Sequence, residues 1–193
     1  MLHAALATVT MREGSAPLPK AVVFDLDGCL WAPDMYMLWG GGAPFTKNED
    51  GSLTDKIGQR VCMLGAVPEV LLELKTDQAW QETVVAVASC TDEPSWADEC
   101  LRLFDVGGGH SIKDCIDREE IYKANKQRHL KTLSETLGIA LEDMLFFDNE
   151  WGNIADVSSI GVSCAYVPDG VTRDAWELAL SRFPSVGEVI DAR

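Results

Sequence analysis

Four short apolar runs are the clearest pattern along the chain. They are rich in Val, Ala and Phe and lack the polar–apolar alternation of a half-exposed strand. Such runs are typical of strands that are buried on both faces of a parallel sheet. They cover residues 20–24, 84–88, 144–147 and 162–167.

Helical periodicity fills the stretches between and after these runs. Apolar residues recur three or four positions apart within 67–74, 97–104, 130–137 and 176–183. This spacing predicts amphipathic helices, the first of them opened by Pro68 and the third ended by Gly138. Strands that alternate with helices predict an α/β domain with a doubly wound, mostly parallel sheet.

One segment, residues 31–60, does not follow the alternation. It is rich in Gly, Pro and Asp, and Asp50-Gly51 lies between apolar residues, which indicates a small hairpin or flap after the first strand. The sequence shows no repeats and no linker that would divide the chain in two. We therefore expect a poorly ordered N-terminal extension over 1–19 and one domain over 20–193.

The charge balance excludes two broad classes of function. The 193 residues include 31 acidic and 16 basic side chains, which gives a formal net charge of −15. A surface this acidic repels nucleic acids and anionic membranes, so we expect neither as a partner. The six cysteines are scattered and form no CxxC pair, which is typical of reduced thiols in a cytoplasmic protein.

Polar residues follow three of the four predicted strands at the point where each ends. These residues are Asp25, Ser89 and Asp148. In open parallel sheets, ligands bind outside the carboxyl ends of the strands, so the three side chains are expected at one crevice. The sequence thus predicts a polar site at this edge of the sheet.

The stretch Phe24-Asp25-Leu26-Asp27-Gly28 is the sharpest local signal. Two carboxylates two residues apart can divide the work, one acting as nucleophile or metal ligand while the other exchanges a proton. A calcium-binding EF-hand loop starting at Asp25 needs Gly where Leu30 stands and Glu where Tyr36 stands, so that alternative fails.

Four motifs, in order, carry a family resemblance. They are FDLDGCLW, VASCTDE, YKANK and FFDNEWGNI. Over about residues 20–183 the chain resembles the haloacid-dehalogenase superfamily of aspartate-nucleophile phosphatases, and within it the magnesium-dependent phosphatases. The resemblance implies a HAD-like Rossmannoid fold without a large cap.

The resemblance also implies roles for individual residues. Asp25 attacks the phosphorus and forms an aspartyl-phosphate, while Asp27 exchanges protons with the leaving oxygen and with water. Mg²⁺ lies between Asp25, the carbonyl oxygen of Asp27 and a residue of the fourth motif, with Asn149 expected ahead of Asp148.

The same resemblance implies the residues that bind the substrate phosphate. Ser89 and the backbone N–H of Cys90 hold phosphoryl oxygens, and Lys126 balances their charge. Thr91 and Lys123 are the nearest competing hydroxyl and amine.

Two positions depart from the family pattern. Asn149 stands where paired aspartates are common, and Cys90 stands where the magnesium-dependent members carry Arg. A thiol cannot make the bidentate contact of Arg with phosphate. These departures leave open a second hypothesis, a catalytically impaired module that binds phosphorylated partners.

Other phosphate chemistries lack their motifs. A cysteine-dependent phosphatase needs Arg six residues after its Cys, and position 96 is Trp. Walker and GxGxxG motifs are absent. The three histidines are dispersed, and His129 is expected on an exposed helix face. Trp31, Trp39 and Phe45 border the flap, either as its packing or as an apolar wall for an aryl phosphate.

Together these observations predict a Mg²⁺-dependent phosphomonoesterase. The family resemblance implies that its substrate is a phosphoprotein, notably one carrying phosphotyrosine, or a phosphorylated small molecule such as a sugar phosphate.

Overall fold

The computed structural model describes residues 17–193, so most of the predicted N-terminal extension lies outside the described residues. The strands are β1 (Ala21–Phe24), β2 (Trp31–Ala32), β3 (Thr46–Lys47), β4 (Leu53–Thr54), β5 (Arg60–Met63), β6 (Val84–Ser89), β7 (Asp105–Gly107), β8 (His110–Ser111), β9 (Arg118–Ile121), β10 (Met144–Asp148), β11 (Ser163–Tyr166) and β12 (Val189–Asp191). The helices are α1 (Val67–Thr76), α2 (Pro94–Leu103), α3 (Ile112–Cys115), α4 (Lys126–Leu137), α5 (Trp151–Ser158) and α6 (Arg173–Arg182).

A six-stranded parallel sheet forms the centre of the fold. Its strand order is β12-β11-β10-β1-β6-β9, so the first strand lies between β10 and β6. The register places Phe24 beside Phe147 and Val87, which brings the three strand ends to the same height. The predicted α/β fold with a mostly parallel sheet is confirmed.

Helices cover both faces of this sheet. Successive residues of β1 point to opposite sides, because strand side chains alternate with a period of two. Val22 and Phe24 pack with α1, α2 and α6, whereas Ala21 and Val23 pack with α4 and α5. Both layers are apolar, which explains why the central strands show no polar–apolar alternation.

Strands β9 and β12, at the two edges of the sheet, are absent from the sequence prediction. The sequence of β9 is Arg-Glu-Glu-Ile, and its residues are exposed or only partly buried. Strand β12 has three residues, of which only Ile190 is buried. Edge strands need less apolar surface than central ones, so the continuous apolar pattern does not find them.

The flap is a small antiparallel sheet in the order β2-β5-β4-β3. Its β3–β4 turn contains Asp50-Gly51, and its last strand ends at Met63. Asp55 is buried and accepts hydrogen bonds from three backbone N–H groups, which fixes the loop between β4 and β5. Trp31 and Phe45 are buried in the main core, so they pack the flap rather than form a wall for a substrate.

Two further features complete the chain. Strands β7 and β8 form a two-stranded antiparallel ribbon with Gly107–Gly109 at its turn. Within residues 17–193, no helix combines the length and apolar character needed to cross a membrane.

Candidate active site

A crevice opens at the carboxyl ends of β1, β6 and β10. Asp25 follows β1, while Ser89 and Asp148 are the last residues of β6 and β10. Because these strands are parallel neighbours, their ends lie side by side. The crevice has a volume of about 180 Å³. It is lined by Asp25, Asp27, Asp34, Tyr36, Ser89, Cys90, Thr91, Asp92, Lys123, Lys126, Glu150 and Asn153.

A tight turn after β1 brings both aspartates of the first motif into the crevice. The carbonyl oxygen of Leu26 accepts hydrogen bonds from the N–H groups of Cys29 and Leu30, at 3.2 and 2.8 Å. Gly28 has a positive φ of 72°, which glycine adopts without steric cost. A side chain there would collide with the amide of Asn149, so glycine also allows the first and fourth motifs to approach each other.

Lys126 is the cation at the floor of the crevice. Its side chain is only 2% exposed, and its amine forms ion pairs with Asp25 and, at 3.3 Å, with Asp148. The amine also donates a hydrogen bond to the carbonyl oxygen of Ala88 at 2.6 Å. Burial lowers the pKa of Lys126, but the charges of Asp25 and Asp148 outweigh burial and raise that pKa above its ordinary value. The lysine is therefore a fixed positive charge.

Asp148 is fully buried and accepts hydrogen bonds from neighbouring residues. It accepts hydrogen bonds from the N–H of Glu150 at 2.7 Å and from the amide of Asn153 at 3.0 Å. Burial, and then the nearby charge of Asp25, raise the pKa of Asp148 well above its usual range. With Lys126 as an additional partner, this carboxylate is suited to holding the lysine in place.

Asp27 has the properties of a proton-exchanging group. The indole N–H of Trp31 donates to its carboxylate at 2.8 Å and fixes its orientation. Burial raises the pKa of Asp27 to about 7, and the charge of Asp25 adds to the effect. A carboxyl that titrates near neutral pH can both donate and accept a proton during turnover.

Asn149 offers a side-chain oxygen atom that is available to bind a metal ion. Its Oδ1 is buried and has no hydrogen-bond partner within residues 17–193. Together with the carboxylate of Asp25 and the carbonyl oxygen of Asp27, it provides the hard oxygen donors that Mg²⁺ binds. No cluster of three or more His, Cys, Asp or Glu side chains suited to a metal occurs in the described part of the chain, and this donor set does not require one.

Residues 89–91 form the wall that follows β6. Ser89 is buried, and its hydroxyl oxygen accepts a hydrogen bond from the N–H of Thr91 at 3.3 Å. The thiol of Cys90 is half-buried and donates to the carbonyl oxygen of Ala124 at 2.8 Å. Burial raises the pKa of this thiol, so Cys90 lines the crevice as a neutral group.

Comparison with known proteins identifies the family. The family model described as Acid Phosphatase matches residues 17–185, which is most of the chain. The chain belongs to the acid phosphatase family. This phosphatase is 36% identical over 168 residues to "Magnesium-dependent phosphatase 1" of Homo sapiens, covering 87% of this chain and 89% of that protein. It is 35% identical over 150 residues to "HAD-like hydrolase superfamily protein P8B7.31" of Schizosaccharomyces pombe, covering 75% and 83%.

Solved structures support the fold of this phosphatase. CbbY from Rhodobacter sphaeroides, in complex with phosphate, aligns with a TM-score of 0.53 at 14% identity, covering 81% of this chain and 89% of that one. A haloacid dehalogenase-like family hydrolase from Xanthomonas campestris aligns with a TM-score of 0.53 at 12% identity, covering 81% and 86%. The predicted superfamily and its fold are confirmed.

The structure brings together the residues that the motifs singled out. Asp25, Asp27, Ser89, Cys90 and Lys126 line one crevice, with Asp148 and Asn149 beside it. The competing lysine, Lys123, is exposed at the crevice mouth and forms an ion pair with Asp92.

Some residues of the crevice were not predicted. Glu150 and Asn153 lie inside the fourth motif, so their sequence position was a usable signal. Asp34 and Tyr36 lie in the flap, where no periodicity indicates the direction of a side chain. The expectation that His129 is exposed is wrong. It is fully buried against Tyr122, with Nε2 3.0 Å from the carbonyl oxygen of that residue.

Proposed function

We propose that this phosphatase is a Mg²⁺-dependent phosphomonoesterase that works through a phosphoryl group carried on Asp25. The observation that carries the proposal is the pairing of Asp25 with the buried amine of Lys126 at the floor of the crevice. A carboxyl with a pKa of about 7, Asp27, lies two residues further on. These groups provide a nucleophile, a fixed cation and a proton carrier in one place.

The first step transfers the phosphoryl group to the protein. A carboxylate oxygen of Asp25 forms a bond to phosphorus while the bond from phosphorus to the ester oxygen breaks. Asp27 gives its proton to that departing oxygen, which leaves as an alcohol or phenol. Lys126 pairs with Asp25 and orients it, and Ser89 and the Cys90 N–H hold phosphoryl oxygens.

The second step restores the enzyme. Asp27, now ionised, takes a proton from water as the water oxygen bonds to phosphorus. The bond between phosphorus and Asp25 breaks, and inorganic phosphate leaves. Asp25, the Asp27 carbonyl and Asn149 would hold Mg²⁺, which would supply positive charge to offset the repulsion between the phosphate dianion and the nucleophile.

The open crevice favours two substrate classes. Because no large cap covers it within residues 17–193, it is accessible both to a phosphotyrosine side chain on a protein and to a small sugar phosphate. A cytoplasmic location fits the six cysteines, which are all free thiols in the structure. A second candidate, a phosphate-binding module without turnover, is favoured only by Asn149 and Cys90, at positions where the family resemblance implies charged residues.

Acid-quenched labelling tests the mechanism. Wild-type protein mixed with ³²P-labelled aryl phosphate and Mg²⁺ is expected to retain radioactive label that hydroxylamine releases, as an acyl phosphate requires. Asp25→Asn is expected to keep its fold and lose both label and turnover, whereas the exposed-helix control Asp156→Asn keeps both. Wild-type turnover in Asp25→Asn contradicts the mechanism, and phosphate binding without turnover by the wild type supports the module.

A further inference from the structure

The outer part of the crevice has a strong charge asymmetry. Outside the catalytic floor its lining includes three carboxylates, on Asp34, Asp92 and Glu150, and one amine, on Lys123. The amine is already paired with Asp92. Asp34 and Glu150 have no ion-pair partner in the part of the chain that the structure describes, so the crevice mouth has unbalanced negative charge.

The floor of the crevice has little positive charge to spare for a second anion. Lys126 is shared between Asp25 and Asp148. The single positive charge of the lysine is already outnumbered by these two carboxylates. The half-buried wall residue Cys90 adds no charge, because burial raises the pKa of its thiol and favours the neutral form. The charged residues at the mouth therefore determine which leaving-group charge the crevice accepts.

The pKa of Asp34 reflects the negative charge near it. Burial, followed by the charges of Asp25 and Glu150, raises the pKa of the Asp34 carboxyl. Asp34 and Glu150, which line the same crevice, are thus near enough to repel one another. A cation placed between them would relieve that repulsion, whereas another anion would add to it.

Tyr36 provides a matching aromatic surface. Its side chain is 61% exposed although it lines the crevice, and it lies two residues after Asp34. An exposed aromatic side chain beside carboxylates is a favourable environment for an organic cation. The tyrosine and the acids thus indicate the same kind of group.

We propose that the crevice selects phosphate monoesters whose leaving group is positively charged and rejects those that carry a second anion, with Asp34 and Glu150 making the selection. The proposal rests on the proposed function, because it concerns the substrate of the same site. It specifies the leaving group by its charge, which the superfamily fold alone does not do.

Three phenyl phosphates that differ only at the para position test the selection. Their substituents are ammoniomethyl, hydroxymethyl and carboxymethyl, which are cationic, neutral and anionic at pH 7. With Mg²⁺ at low ionic strength, kcat/KM of the wild type is expected to be about tenfold higher for the cationic than for the anionic ester. In 0.5 M NaCl the ratio should fall to within about twofold, because salt screens exposed charges.

Two double variants assign the effect. The double variant Asp34→Asn with Glu150→Gln is expected to bring the ratio of kcat/KM for the cationic ester to kcat/KM for the anionic ester close to one. This expectation concerns the ratio and not the absolute activity of the variant. The control is Glu82→Gln with Glu142→Gln, which removes two exposed carboxylates just before β6 and β10. These residues lie at the amino-terminal ends of the strands, away from the crevice, so this variant should keep the wild-type ratio. Circular dichroism verifies folding, and the single variant Glu150→Gln, at an exposed position, gives a second measurement.

The outcomes separate this proposal from the one on which it rests. Hydrolysis of all three esters with equal kcat/KM, or a preference for the anionic ester, overturns the selection and leaves the phosphatase mechanism standing. A preference that persists in Asp34→Asn with Glu150→Gln overturns the assignment to these residues. Failure to hydrolyse even the neutral ester overturns the proposed function as well.

Discussion

Two lysines near the crevice offer a matched test of how burial sets the energy of an ion pair. Lys123 and Lys126 are three residues apart, and each contacts an aspartate. The side chain of Lys123 is 71% exposed, whereas that of Lys126 is 2% exposed. We expect Lys126→Met to destabilise the protein strongly and Lys123→Met to leave its stability close to that of the wild type.

The magnitude follows from the carboxylates that Lys126→Met would leave without a cationic partner. Asp148 is fully buried, and its carboxylate lies 3.3 Å from the lysine amine. At an effective dielectric constant of about 20, charges at that distance attract each other by about 5 kcal/mol. Desolvation of the lysine and burial of the methionine offset part of this loss. Breaking a buried pair typically costs about 3–5 kcal/mol, whereas surface pairs contribute little.

Urea unfolding in EDTA at pH 7.5 measures these differences without a contribution from Mg²⁺ binding. A drop of about 3–5 kcal/mol is expected for Lys126→Met. Addition of Asp148→Asn should recover part of it, because the double variant no longer buries an unpaired carboxylate at that position. A loss below about 1 kcal/mol for Lys126→Met, equal to that of Lys123→Met, would refute the reasoning, because it would mean that Lys126 is solvated like a surface lysine.

Two further predictions concern the amide of Asn149. Gly28→Ala should raise the half-saturating Mg²⁺ concentration about tenfold, because the new methyl group displaces this amide. Gly51→Ala introduces a similar backbone strain with no atom nearby and should leave Mg²⁺ affinity unchanged, so equal shifts in both variants contradict the reasoning. Asn149→Asp should strengthen Mg²⁺ binding measured by calorimetry yet lower the melting temperature in EDTA, because a third carboxylate then lies near Asp25 and Asp148. A higher melting temperature in EDTA contradicts that prediction.

The centre of the fold could be predicted because its physical signal is local. The apolar runs of β1, β6, β10 and β11 lie between two helical layers, so nearly every position must be apolar. The edge strands β9 and β12 are half-exposed or short, and their formation depends on hydrogen bonding to a neighbouring strand. That dependence is a tertiary property, which no local pattern records.

In the candidate site, too, some features follow from a local pattern and others depend on tertiary packing. Asp25, Ser89 and Asp148 could be predicted together, because strand ends in a parallel sheet share one edge. His129 and Trp39 show what the pattern cannot determine. The histidine is fully buried beneath Tyr122, and the tryptophan is 81% exposed at the flap. Their environments depend on how the flap and α4 pack, which is decided by residues far away in the chain.

The two departures from the family pattern change the charge of the crevice in opposite directions. Asn149 replaces a carboxylate by a neutral oxygen donor, so Lys126 has two buried acids to balance rather than three. Cys90 replaces a cation by a neutral thiol on the facing wall. A phosphate dianion then meets a floor that is less negative and a wall that is less positive, so the total changes little while its distribution changes. The wall at Cys90 then supplies no positive charge in the crevice that Asp34 and Glu150 also line, and the proposed cationic leaving group would supply it.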